Sequence, residues 1–205
     1  MEFYTLASSS AGNAALVCHE NTHILIDVGI SCRRITQSLA ALSLTLDDLD
    51  GILITHEHID HVRALGTLQK KHAIPLYASF GTAAAISYPA PYLHAFAADE
   101  TFTIKDLQIR SFRTSHDAKE SVGYRIESSD GSLAVLTDTG FITDDAHDAA
   151  LGADMLLLES NHDVIMLKNG DYPYYLKQRI LSEYGHLSND PVSYTHLRAH
   201  ETRHD

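Results

Sequence analysis

Short apolar runs of strand length alternate along the chain with stretches in which apolar residues recur every three or four positions. Residues 2–6, 14–18 and 23–27 are apolar-rich and separated by the turn-prone segments SSSAGN and HENT, which predicts three short strands with a tight first connection. Ser31 predicts an N-cap for a helix running to about Leu42, with Ile35, Leu39 and Leu42 on one face. GILIT at 51–55 is continuously apolar and predicts a strand buried on both faces. A helix over 62–72, a strand over 75–78 and a helix over 82–87, ending before Pro89, are expected next. The second half repeats this grammar, with strands at 107–114, 122–128 and 133–137 and a turn at Ser129-Asp130-Gly131. A helix capped by Thr143 and running to about Leu151, a buried strand at 154–159 and helical segments at 163–168 and 173–184 complete it. Two β-rich halves, each closed by helices, suggest two packed sheets with helices outside. Periodicity alone does not separate that arrangement from an ordinary α/β sandwich.

Composition changes the picture in three respects. At 205 residues the chain is long enough for one domain with a real core and short for two. Its net charge of −12 argues against a broad basic groove of the kind that drives non-specific nucleic-acid binding. That count omits bound cations, and two divalent ions would concentrate four positive charges at one place, so a phosphate-bearing substrate remains compatible. Cys18 and Cys32 have no C-x-x-C spacing, and MEFYTLASSS lacks a basic stretch followed by an apolar run. No apolar stretch approaches the ~18 residues of a membrane helix, so a cytoplasmic protein with free thiols and no membrane association is expected.

Histidine is the unusual residue, at 14, and its placement points to chemistry. THEHIDH at 55–61 follows the GILIT strand directly. Side chains alternate along a strand, so His56 and His58 point the same way, while Asp60 and His61 fall where the next helix starts. Imidazole nitrogens and carboxylate oxygens gathered in this way suit zinc and related divalent ions. Read on their own, the other polar candidates stay open. His116 is a histidine after a strand, Asp138 a turn-former in DTG, Glu159 an acid favoured at a helix N-terminus, and His162 a loop histidine.

The H-x-H-x-D-H pattern resembles the signature of the metallo-β-lactamase superfamily, and the surrounding text is similar in order. LIDVG at 25–29 resembles the segment before that family's first helix, TSHD at 114–117 its second histidine motif, and TDTG at 137–140 the motif whose aspartate bridges two metals. The resemblance implies an αββα four-layer sandwich of two mixed β-sheets flanked by helices. It implies that His56, His58 and His116 hold a first divalent metal, Asp60 and His61 a second, and that Asp138 bridges them. Asp27 is expected to steady the ligand loop by accepting hydrogen bonds.

LASSSAGN at 6–13, ESNHD at 159–163 and GHLSN at 185–189 further resemble the YycJ/WalJ branch, whose members are cytoplasmic bacterial proteins. That resemblance implies a phosphodiesterase or 5′-to-3′ DNA exonuclease with two divalent ions, zinc or manganese, and DNA as substrate. Such a metal pair activates a water held between its ions for attack on phosphorus. Asp60 belongs to the catalytic group on this reading, and His186 oriented by Glu159 would protonate the leaving oxygen. Two other readings use the same residues: a thioester or lactam hydrolase, and a non-catalytic metal-binding protein. After GHLSND the family pattern stops. Residues 191–205 are polar and histidine-rich, and leave no room for the family's further helix, strand and final histidine ligand. Residues 1–190 are therefore expected to form a C-terminally truncated domain and 191–205 a non-native or disordered tail, with neither His196 nor His200 assigned as a ligand.

Overall fold

The computed structural model describes residues 1–88 and 90–190. Pro89 and residues 191–205, including the expected tail with His196 and His200, lie outside the described residues. The first sheet contains β1 (Glu2–Ala7), β2 (Ala14–His19), β3 (Thr22–Ile26), β4 (Gly51–Leu53), β5 (Leu76–Ser79) and β6 (Leu93–Phe96), hydrogen-bonded in that order. β1 to β3 pair antiparallel and β3 to β6 parallel. The second sheet runs β11-β10-β9-β8-β7, from β7 (Thr101–Ile104), β8 (Leu107–Arg113), β9 (Val122–Ser128), β10 (Gly131–Leu136) and β11 (Met155–Leu158). Its pairs are antiparallel except β10 with β11, so both sheets are mixed.

Alternation along the strands builds three apolar layers. Ala15 and Val17 of β2, Ile24 and Ile26 of β3 and Leu53 of β4 face inward and meet Ile109, Tyr124, Ile126, Leu133 and Val135 of the second sheet. Leu16, Leu25 and Ile52 face outward, under Ile35 and Leu39 of α1 (Cys32–Ala41). On the far side Ala134 and Leu136 of β10 pack against Ala146 and Ala149 of α5 (Asp144–Ala150). Helices thus cover the outside of both sheets. Strands buried on both faces read as continuous apolar runs, which is why GILIT looked as it did. The caps at Ser31 and Thr143 are present, accepting from the backbone N–H groups of Arg34 and Ala146.

Four expectations need correction. The helix expected over 62–72 is two helices, α2 (Ile59–Val62) and α3 (Leu65–Lys71). The Val28 N–H donates to the His61 carbonyl at 2.8 Å and the Val28 carbonyl accepts from Ala64 N–H at 2.9 Å, so a crossing strand end interrupts the ladder. The final helix is α7 (Tyr174–Ile180), which stops short of residue 184 because Ser182 N–H and His186 N–H turn back onto the carbonyls of Arg179 and Ile180. β6 and β7 were not expected, since each lies at a sheet edge and exposes most of its residues, which erases the apolar run. β11 is half-buried rather than buried along its whole length, as an edge strand among the described residues. The remaining elements are α4 (Phe80–Ala85) and α6 (Val164–Asn169).

The loop 8–13 locks the site's end of the first sheet through backbone contacts. Asn13 N–H donates to the Asp60 carbonyl at 2.8 Å and Gly29 N–H to the Asn13 carbonyl at 2.7 Å. A Cβ on Gly29 would lie 1.5 Å from the Asp60 carbonyl oxygen, which only backbone movement can relieve. Gly29→Ala should therefore destabilise the protein by about 3 kcal/mol or more, displacing Asp60 in the process. Urea unfolding checks this, and a midpoint equal to wild type would contradict the close packing.

Candidate metal centre

The strand ends at one edge of the sandwich deliver the polar side chains. His56 and His58 follow β4, with His58 as the N-cap residue of α2, and Asp60 and His61 lie in that helix's only turn. His116 follows β8, Asp138 follows β10, and Glu159 follows β11, all in the second sheet. His186 enters from the turn after α7. The Val122 N–H donates to the Thr55 carbonyl at 3.0 Å and so fixes the two sheets to each other at this edge.

Among the described residues, three groups each bring one ligand atom per residue within 4.8 Å of the others: His56, His58 and His116; His56, His61 and Asp138; and Asp138, Glu159 and His186. Asp60 lies beside the second group, its Oδ2 3.7 Å from His61 Nε2. His56 and His61 are fully buried and His116 nearly so, while His58, Asp60, Asp138, Glu159 and His186 face a cleft of about 650 Å³. Asp138 belongs to two of the groups. Its Oδ2 is 2.7 Å from His61 Nε2 and 3.4 Å from His56 Nε2, and its Oδ1 is 3.4 Å from His186 Nδ1. It holds φ 48°, a left-handed conformation uncommon outside glycine, asparagine and aspartate.

Three of the imidazoles are oriented from behind. His56 Nδ1 meets Thr55 Oγ1 at 3.1 Å, His61 Nδ1 donates to Asp27 Oδ2 at 2.7 Å, and His116 Nδ1 donates to the Gly185 carbonyl at 3.0 Å. Those bonds leave the Nε2 atoms directed inward. His58 is turned the other way, its Nδ1 3.3 Å from His116 Nε2. Asp27, buried to 2 % exposure, also accepts the Thr55 N–H at 2.9 Å and its hydroxyl. The expected steadying role of Asp27 thus has its hydrogen bonds in place.

The electrostatics follow from burial and from these carboxylates. Burial, helped by the charge of His61, pushes His56 well below the usual imidazole range despite Asp138. For His61 burial also pulls downward, but Asp27 and Asp138 outweigh it and hold the ring well above that range. Burial works to raise Asp138, yet hydrogen bonds from His186 and His61 keep it ionised, far below the usual carboxylate range. Burial lowers His186 in the same way, while Asp138 and Glu159 overcome it and hold the imidazole at about 10. Carboxylates that stabilise charge on an imidazole stabilise a cation at its Nε2 equally well. His56 Nε2 is the sharper sign, since it is a buried nitrogen with no hydrogen-bond partner, directed at Asp138. The donor set therefore fits divalent cations.

Glu159 and His186 form a separate pair. Their Oε1 and Nδ1 are 2.6 Å apart, and Glu159 Oε2 accepts from the backbone N–H groups of Thr139 at 3.0 Å and Leu187 at 3.3 Å. His162 lines the same cleft with neither ring nitrogen hydrogen-bonded, and burial lowers its pKa. Sequence reasoning left several participants unassigned. Asp117, held below its usual range by the Arg179 guanidinium against the pull of burial, lies 3.4 Å from His116 Nε2. Its only local signal is adjacency within TSHD. Asn13 Nδ2, 3.1 Å from His61 Nε2, explains the last residue of LASSSAGN. Arg179 carried no signal, and Gly185 only its place at the start of GHLSN.

Comparison with known proteins agrees with this architecture. Residues 22–200 match the family model described as the beta-lactamase superfamily domain. The exodeoxyribonuclease WalJ of Streptococcus pneumoniae serotype 2 is 41 % identical over 197 residues, covering 92 % of this chain and 73 % of that protein. The exodeoxyribonuclease YycJ of Bacillus anthracis is 36 % identical over 198 residues, covering 94 % of this chain and 75 % of that protein. Among solved structures, the metallo-beta-lactamase fold protein YhfI of Bacillus subtilis superposes with a TM-score of 0.66 at 18 % identity, over 91 % of this chain and 76 % of its own. No helix among the described residues is long and apolar enough to cross a membrane. With both the fold and the matched sequence in agreement, the chain belongs to the beta-lactamase superfamily of metal-dependent hydrolases and is homologous to the YycJ and WalJ exodeoxyribonucleases.

Proposed function

We propose that this chain is a cytoplasmic metal-dependent phosphodiesterase that digests DNA as a 5′-to-3′ exonuclease, with two divalent ions, zinc or manganese, in the cleft. The observation that carries the reading is the buried, unpartnered His56 Nε2 directed at Asp138, in a donor set of nitrogens and carboxylate oxygens. His56, His58 and His116 would hold one ion, Asp60 and His61 the other, and Asp138 would lie between them. Bound there, such ions supply Lewis acidity toward a phosphoryl oxygen and lower the pKa of water. Exodeoxyribonuclease activity is carried by the names of the relatives, YycJ and WalJ.

The protein's own residues supply orientation and a proton. Asp27 and Thr55 fix the rings of His61 and His56 before any substrate arrives, so none of that ordering is left to the reaction. Glu159, itself tied to two backbone N–H groups, holds His186 Nδ1 at 2.6 Å and sets the direction in which a proton on its Nε2 points. A phosphodiester with its leaving oxygen toward His186 would receive that proton as the bond to phosphorus breaks.

Three outcomes test the assignment. Asp27→Asn should weaken metal binding about 10- to 100-fold, read by competitive chelator titration of the folded variant, at some cost in stability. Unchanged affinity would mean that His61 is not a ligand. His58→Ala or Asp60→Ala should lower kcat on a DNA substrate by more than about a thousandfold, or about 4 kcal/mol. Activity within tenfold of wild type would overturn the metal-centred reading. His186→Gln should cost about 100-fold in kcat while metal content by elemental analysis stays the same. Loss of metal alongside activity would make His186 a ligand instead of an acid.

A further inference from the structure

The wall of the cleft opposite the sheets is built from α6 and α7, and it departs from the rest of the protein. Exposed large apolar side chains concentrate here: Ile165, Met166, Tyr172, Tyr174, Tyr175 and Tyr184, with Tyr174 at 77 % and Tyr175 at 74 % exposure. α7 buries no residue, so its tyrosines are not maintained by the core. α6 and α7 themselves carry Lys168, Lys177 and Arg179 and no carboxylate, while Asp163, Asp171 and Glu183 lie just outside their ends. The surface adjoins the cleft, which Tyr172, Leu176 and Arg179 line together with His58, Asp60 and His186, while Tyr174 and Tyr175 lie outside that lining.

Helical spacing interleaves the rings and the cations. Tyr174 and Lys177 are three residues apart and Tyr175 and Arg179 four, so each aromatic neighbours a positive group on the helix surface. Arg179 is held by Asp117 through Nε and Nη2, the latter at 3.0 Å, which leaves Nη1 available toward the cleft's substrate. Aromatic faces beside cations are what a single strand of nucleic acid requires, bases stacking on the rings and phosphates meeting the charges. An acidic peptide would use the cations and leave the tyrosine faces unused.

We propose that α7, with Tyr172, Tyr174 and Tyr175, is a stacking platform for unpaired bases that feeds a single-stranded DNA end into the cleft. This rests on the phosphodiesterase reading above. Tyr172, at the cleft, takes the base nearest the scissile phosphate and Tyr174 and Tyr175 take bases farther along the strand, and recognition is by base stacking, without sequence preference.

The test compares a single-stranded oligonucleotide with bis(p-nitrophenyl) phosphate, a phosphodiester that carries no base. In Tyr174→Ala/Tyr175→Ala, kcat/KM on the oligonucleotide should fall about tenfold or more relative to that on the small ester. Tyr174→Phe/Tyr175→Phe, which keeps the rings, should restore the ratio to within about threefold. The sequence has no tryptophan, so base stacking is also read directly as quenching of tyrosine emission. A cleavage-resistant phosphorothioate oligonucleotide should quench it, and an abasic one should not. Equal loss on both substrates, no loss on the oligonucleotide, or identical quenching by the abasic strand would overturn the platform. A fall in sedimenting mass in the alanine variant would overturn it too, by showing the tyrosines to be a contact between copies of the chain. Failure of the underlying reading looks different, because wild type would then hydrolyse neither ester whatever the quenching shows.

Discussion

The site depends on one buried carboxylate. Asp27 sits just past the end of β3 with φ 58° and receives the Thr55 N–H, the Thr55 hydroxyl and the His61 Nδ1 proton. Its own N–H donates to the Leu53 carbonyl at 2.8 Å. A buried carboxylate is costly unless such partners surround it, so the end of β3 and the 55–61 segment that supplies them are held together. The same contact sets two imidazoles. His61 is aligned directly and His56 through the Thr55 hydroxyl, which donates to Asp27 and accepts from Nδ1. A core carboxylate and the orientation of two histidines are thus one constraint.

The second sheet answers with a different device. Asp138 and Glu159 leave neighbouring parallel strands, so their carboxylates emerge side by side at the same edge. Glu159 is tied to the backbone at Thr139, the residue after Asp138, and through that N–H the two acids share one loop geometry. His186 is caught between them. The first sheet therefore supplies mostly nitrogen and the second mostly carboxylate. Charge balance is reached only when the two sheets face each other.

Much of this was legible in the sequence, and the division between what was and what was not is physical. Strands buried on both faces announce themselves as apolar runs, as at 51–55, whereas β6 and β7 lose that pattern by lying at edges. His56, His58, Asp60 and His61 form a signal because they are close in the chain. The meeting of His116, Asp138 and His186 with them spans both sheets, and no local spacing encodes it, so only the family resemblance connected these residues. The break between α2 and α3 comes from Val28, more than thirty residues earlier, inserting its backbone. The Gly185 carbonyl, which orients His116, has no side chain to be recognised. Interactions made by backbone groups across long separations are the part that a single sequence hides.

The two walls of the cleft consequently answer to different pressures. On the sheet side the groups that would hold cations are the same groups that satisfy buried hydrogen bonds, so a substitution there disturbs folding and chemistry together. On the α6–α7 side the exposed residues have little to do with the core: α7 buries nothing, and the bonds of Arg179 to Asp117 tie it to the loop that carries His116. Side chains there can change at small cost to stability, as exposed positions generally can. On the exonuclease reading proposed above, the rigid wall would fix the reacting phosphate and the adaptable wall would meet the rest of the polymer. Such an enzyme must hold one phosphodiester in fixed geometry while accepting whichever base follows.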